Sequence, residues 1–185
     1  MIKLFIDVDG VITNTIKKFC EIYNQKYSKH PDFTFADWTK VREWNFTDQC
    51  PLIKSVDEVN DFFDLPEFYY KAAYIDGAID SINKLSNKYD ISIVTMGSPI
   101  NLAYKYEALK RKIPIMRYYG IDISKHTDKR KVDMSDGIFI DDVSKNLITS
   151  NANKKICFGE PMPWNADWCG ERCFNWAEVL KTLNY

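Results

Sequence analysis

Glycine and proline are scarce in this chain, seven of each among 185 residues, which argues against a disordered or low-complexity protein. Net charge is nearly absent: 25 Lys and Arg against 26 Asp and Glu leave −1. A balance so close to zero gives no electrostatic footprint for duplex nucleic acid or an anionic membrane surface, and an acidic site on such a chain needs a cation to hold a phosphate. No apolar run approaches transmembrane length. The first apolar segment begins at Ile2 without a basic n-region, an apolar h-region or a small-residue cleavage site, so the expectation is a cytoplasmic protein. A disulfide framework is also missing, since Cys20, Cys50, Cys157, Cys169 and Cys173 are odd in number and scattered. Cys169 and Cys173, with Cys157 as a third ligand, lack the second C-x-x-C pair of a structural zinc site, and free thiols are expected. What remains is an ordinary globular composition, 45% hydrophobic and 28% charged over 21.7 kDa, enough for one domain with an insertion.

Short, almost wholly apolar runs recur at Ile2 to Asp7, Ile91 to Thr95, Gly137 to Asp141 and Lys155 to Phe158, the pattern of strands covered on both faces by helices. Helical segments separate them. Asp76 to Lys88 carries Ile79, Ile82 and Leu85 on one face. Ser98-Pro99 offers an N-cap and a first-turn proline for a segment reaching Lys112, and Asn175 with Glu178 resembles a capping box before Trp176 to Leu183. This alternation implies an α/β fold with a Rossmann-like, doubly wound parallel sheet. Residues 15–74 break it. A helix-like start at Thr15 to Tyr27, a Ser55-x-x-Glu58 capping box and Pro66 mark helices there, among many aromatics. The expectation is a core of residues 1–14 and 75–185 with a small helical cap, 15–74, inserted after the first strand. Most of the cap aromatics would form a packed mini-core. No internal repeat is evident.

Four features carry chemistry. In Asp7-Val8-Asp9-Gly10, side chains two apart on a strand share a face, and Gly10 lets the backbone turn sharply. A nucleophile and a proton donor then stand at one strand end. A second apolar strand ends in Thr95-Met96-Gly97-Ser98, whose hydroxyl and helix-start N–H groups suit phosphate oxygens. Asp141-Asp142 places adjacent carboxylates at a further strand end, where repulsion calls for a hard cation. Mg2+ bound by Asp7, Asp142 and the Asp9 carbonyl satisfies that demand. Asp142 or Ser144 would alternatively cap the following helix. Upstream lie Lys125, Lys129, Arg130 and Lys131, a supply of cations to offset charge on a transferring phosphoryl group.

Acidic pair, hydroxyl, lysine and acidic pair, in this order on successive elements, resemble the haloacid dehalogenase-like hydrolase superfamily over the whole core. The resemblance implies Asp7 as the phosphate-accepting nucleophile, Asp9 as general acid/base, Thr95 as phosphate-binding hydroxyl and Asp141-Asp142 as the acidic motif. Asp142 would hold the metal and Asp141 the lysine. Lys131, ten residues before Asp141, matches the superfamily lysine best, with Lys129 the alternative. An acid at Asp9 is similar to phosphatases rather than dehalogenases. Within the superfamily, Phe68-Tyr69-Tyr70 ahead of Ile75-Asp76-Gly77-Ala78, together with Phe139 to Asp142, Ile156 to Phe158 and Trp176, resemble the 5'(3')-deoxyribonucleotidase family. Thr15 departs from it, standing where the animal enzymes carry an aromatic against the base.

The sequence thus points to a Mg2+-dependent phosphomonoesterase working through an aspartyl-phosphate on a small phosphomonoester, a (deoxy)nucleoside monophosphate. Thr95, Met96, Gly97 and Lys131 would hold the phosphate, and Trp44 and Phe46 the base. A sugar phosphate is the alternative substrate. A receiver-like phospho-acceptor module is the alternative of another class, disfavoured by motif order and the cap. A homodimer is left open.

Overall fold

A computed structural model describes all residues, 1–185. Its centre is β1 (Ile2–Ile6), in which Leu4, Phe5 and Ile6 are fully buried. Six parallel strands lie in the order β3-β2-β1-β4-β5-β6, with β2 at Tyr89–Gly97, β3 at Arg117–Asp122, β4 at Gly137–Asp141, β5 at Lys154–Phe158 and β6 at Glu171–Cys173. Both faces of the sheet are apolar, as the short apolar runs require. Leu4, Ile6, Ile93 and Ile140 face one cluster, and Phe5, Val94, Phe139 and Cys157 face the other.

The strands that the apolar pattern misses, β3 and β6, are the two edges. In β3 only Ile121 is fully buried, and β6 has three residues, so neither has the two covered faces that an apolar run reports. Helices α4 (Ala78–Leu85), α5 (Pro99–Leu109), α6 (Ser144–Thr149) and α7 (Trp176–Thr182) flank the sheet. Ser98 caps α5 through Asn101 N at 3.2 Å, and Asn175 caps α7 through Glu178 N at 3.0 Å. α4 begins later than the sequence pattern suggests, because Gly77 at φ +76° precedes it in a left-handed turn.

Between Asn14 and Ile75 run α1 (Thr15–Tyr27), a 3-10 turn (Trp38–Lys40), α2 (Val56–Phe63) and α3 (Pro66–Tyr70). Ser55 caps α2 through Glu58 N at 3.2 Å, while Glu58 reaches back to Lys54 N at 2.8 Å. Phe19 stacks on Phe46 at 3.8 Å and on Phe62 at 4.9 Å. These rings belong to the same 32-residue cluster as Leu4 and Ile6, so the insertion and one face of the sheet share a continuous core. All five cysteines are free. No helix is long and apolar enough to cross a membrane.

The chain leaves β1 toward β2 and β3 on one side, then returns to β4, β5 and β6 on the other. At such a reversal the loops diverge and open a crevice beyond the carboxyl ends of the central strands. The ends of β1 and β4 therefore define the site.

Candidate active site

Asp7 follows β1 directly and is still tied to the sheet, donating its N–H to Ile140 O at 3.0 Å. The loop after it folds back on Val8 O through Ile12 and Thr13, with Gly10 at φ +71°. A Cβ on Gly10 would run into the Asp142 carboxylate, so glycine here serves both the turn and the approach of the two acidic motifs. Asp7, Asp141 and Asp142 are all buried and bring carboxylate oxygens within 4.8 Å of one another.

The cation among them is Lys129, not Lys131. Lys129 Nζ lies 2.7 Å from Asp7 Oδ1 and 2.6 Å from Asp141 Oδ2, with 1% of its side chain exposed. Lys131 is exposed and takes no part in this ion-pair cluster. The expectation rested on spacing, and the irregular loop before Met134 carries no periodicity that would tell one lysine from its neighbour two residues on.

Asp141 is fully engaged. Its Oδ1 accepts from Val143 N at 2.8 Å, Oδ2 accepts from Lys129, and Asn146 Nδ2 lies 3.2 Å from both oxygens. The alternative role of Asp142 or Ser144 as a cap of α6 is not taken up: the N-cap residue is Val143, without a side-chain bond, and Ser144 Oγ donates to Trp164 O. Asp142 accepts from Trp164 Nε1 through Oδ2 at 3.2 Å, and its Oδ1 is buried with no partner. A buried carboxylate oxygen without a donor is costly. Beside the Asp7 carboxylate, this orphan fits a hard, oxygen-ligated cation.

The charges respond accordingly. Burial, with Asp141 and Asp9 nearby, pushes the Asp7 carboxyl up to about 6 against the pull of Lys129 and Lys105. Asp142 is raised well above the ordinary carboxylate range by burial, then by Asp141 and Asp7. Burial opposes the charge on Lys129, yet Asp141 and Asp7 outweigh it and raise its pKa.

Asp9 shares a cavity of about 270 Å³ with Asp7 and Asp142. Thr95, two residues before the end of β2, is fully buried with its Oγ1 accepting from Lys105 Nζ at 3.1 Å and does not line the cavity, whereas Met96 and Gly97 do. Trp44, 41% exposed, stands at its mouth, 5.4 Å from the ring of Trp164. Phe46 does not reach the cavity. It is fully buried against Phe19, at φ +62°, because its ring completes the aromatic stack of the insertion.

Three residues surround Asp9, Lys105 at 2.5 Å, Tyr69 at 3.0 Å and Thr15 at 2.9 Å; motif reading passed over Lys105 and assigned no contact with Asp9 to Tyr69 or Thr15. The available signal was on α5. Asn101, Lys105 and Leu109, spaced by four, are its buried residues, and two polar residues on an inward stripe indicate partners inside. Burial and the Asp9 charge lift the Tyr69 phenol well above its usual value, keeping it a donor.

A doubly wound sheet with a D-x-D strand end and a buried lysine among carboxylates defines a haloacid dehalogenase-like hydrolase, and solved structures share the fold. A haloacid dehalogenase-like hydrolase of Streptococcus pneumoniae aligns at TM-score 0.64 with 14% identity, over 99% of this chain and 98% of its own. A hydrolase of the superfamily from Deinococcus radiodurans, with bound phosphate and sodium, gives 0.65 and 14% over 98% and 94%. One from Geobacter sulfurreducens gives 0.61 and 14% over 98% and 96%. No curated protein matches in sequence. The family model for 5' nucleotidase, deoxy (pyrimidine), cytosolic type C protein matches residues 1–184, and the chain belongs to that family. It is accordingly a phosphatase of the nucleotidase class, which sets aside the receiver-like alternative.

Proposed function

We propose that the protein hydrolyses a nucleoside monophosphate through an aspartyl-phosphate on Asp7. The observation that carries this reading is the pairing of Asp7 with Lys129 and the orphaned Asp142 Oδ1, beside Asp9, in a cavity with Trp44 at its mouth. An Asp7 oxygen attacks phosphorus in line, the P–O bond to the nucleoside breaks, and Asp9 gives its proton to the departing oxygen. Asp9 then takes a proton from water as that water attacks the same phosphorus, releasing inorganic phosphate and regenerating Asp7. Lys129 holds a phosphate oxygen, with backbone N–H groups at Met96 and Gly97. Asp7, Asp142 and the Asp9 carbonyl would hold Mg2+, which neutralises charge between carboxylate and phosphate. Residues 15–74 act as a cap that excludes bulk water, and Trp44 offers a face for the base.

The test is a panel of nucleoside monophosphates and sugar phosphates, with Asp7→Asn alongside wild type. Nucleotides should be hydrolysed fastest, and Asp7→Asn should lose about 10³-fold or more. Sugar phosphates outrunning every nucleotide would remove the substrate assignment, and a tenth of wild-type activity in Asp7→Asn would remove the nucleophile.

A further inference from the structure

The Lys105 ammonium is 1% exposed, so it needs acceptors to offset the loss of water. It has three: Asp9 Oδ2 at 2.5 Å, Met96 O at 2.6 Å and Thr95 Oγ1 at 3.1 Å. An ammonium carries three N–H donors, and these three bonds use them all. None remains for a phosphate oxygen. Lys129 differs, because its two carboxylate partners leave one N–H free.

The partner of Lys105 is constrained in turn. Asp9 Oδ1 accepts from Thr15 Oγ1 at 2.9 Å and from Tyr69 OH at 3.0 Å, and the Tyr69 oxygen accepts from Asn101 Nδ2 at 3.2 Å. A carboxylate offers about four lone-pair sites. Three are taken, by donors on α1, α3 and α5, and the one left is on Oδ2. We infer that Lys105 is a positioning residue that fixes the Asp9 carboxylate so that this remaining lone pair faces the oxygen entering or leaving phosphorus. The inference rests on the reading of Asp9 as the proton-transfer group.

The experiment compares Lys105→Met, Asp9→Asn and the double variant on two substrates. One is a nucleoside monophosphate, whose alkoxide leaving group needs a proton. The other is p-nitrophenyl phosphate, whose leaving group needs little. Positioned proton transfer is worth about 10²-fold or more, so Lys105→Met should lose about that in kcat on the nucleotide, less on the nitrophenyl ester, with KM nearly unchanged. The double variant should be no slower than Asp9→Asn, because residues acting as a unit are not additive. A raised KM at unchanged kcat would make Lys105 a phosphate ligand and overturn the inference. Multiplying losses in the double variant would do the same, as would equal losses on both substrates with a lowered thermal midpoint. Unimpaired Asp9→Asn would instead remove the role of Asp9 itself, a different failure read from a different variant. Lys105→Gln, which keeps two N–H donors without the charge, carries the same comparison if Lys105→Met does not fold.

Discussion

Lys129 and Lys131 differ by two positions and by their whole environment. Truncating Lys129 leaves Asp7 and Asp141 buried without their cation, so Lys129→Met should cut kcat/KM by about 10²-fold or more, the scale of losing one preorganised electrostatic partner. Lys131→Ala, at an exposed site, should stay within about 0.5 kcal/mol in stability and keep its activity. Steady-state kinetics on p-nitrophenyl phosphate separate them, and equal losses would contradict the placement of the site lysine. Asp7 also makes stability depend on pH. Its carboxyl, raised from 3.8 to about 6 by burial, holds a proton in the folded protein that the unfolded chain has already released. The folded state binds the extra proton between those values, so this contribution is complete below about 4 and is lost as pH rises through about 6. In chelated protein, the thermal midpoint should therefore fall more steeply across that window in wild type than in Asp7→Asn. Added Mg2+ should recover the loss at pH 7. Parallel profiles for the two proteins would contradict the buried, proton-holding carboxyl.

Among the elements, the segment between the 3-10 turn and α2 carries two aromatics with opposite placements. Trp44 opens onto the cavity, whereas Phe46 completes a stack with Phe19 at 3.8 Å and 8° between planes. That stack holds Phe46 at φ +62°, a left-handed conformation that is unfavourable for a bulky side chain and persists only where packing outweighs the strain. Trp44→Ala should raise KM for the preferred nucleotide by roughly tenfold, as for loss of one base–aromatic stack, and barely change hydrolysis of p-nitrophenyl phosphate. Phe46→Ala should lose about 3 to 5 kcal/mol of stability by opening a core cavity, with no preference between substrates. Differential scanning calorimetry and paired KM values read both outcomes. A nucleotide-specific defect in Phe46→Ala would place its ring in the binding site after all.

The molecule as a whole is joined by one cluster of 32 buried residues running from Leu4 and Ile6 of the central strand to Phe19, Val59 and Phe62 of the insertion. An insertion that shares its core with the sheet cannot open without exposing that face. Unfolding in urea should then be a single transition, coincident by far-UV circular dichroism and by tryptophan fluorescence. Trp38 and Trp44 report from the insertion, and Trp164, Trp168 and Trp176 from the rest. A separate, earlier loss of the Trp38 and Trp44 signal, followed in single-tryptophan variants, would show instead that the insertion folds as its own unit.

The strand-end motifs are local facts of the chain. Asp7 follows the apolar run of β1 directly and Asp9 lies in the tight loop after it, Gly10 turns because it has no Cβ, and Thr95 and Asp141-Asp142 end runs apolar enough to be buried on both sides. Sequence alone therefore determined the doubly wound core, the chain order of the acidic pairs and hydroxyl, and the starts of α2, α5 and α7, each set by a side-chain cap. It did not determine β3 and β6, whose edge positions remove the apolar signature. Nor did it choose Lys129, which became the site cation because the loop before β4 turns that side chain inward and its neighbour out. Lys105 and Tyr69 meet Asp9 across sequence separations of 96 and 60 residues. No local period encodes such a meeting. Only packing α3 and α5 near the end of the sheet brings those donors to one carboxylate, and the stack of Phe46 on Phe19 of α1 took that ring out of the cavity and left Trp44 at its mouth.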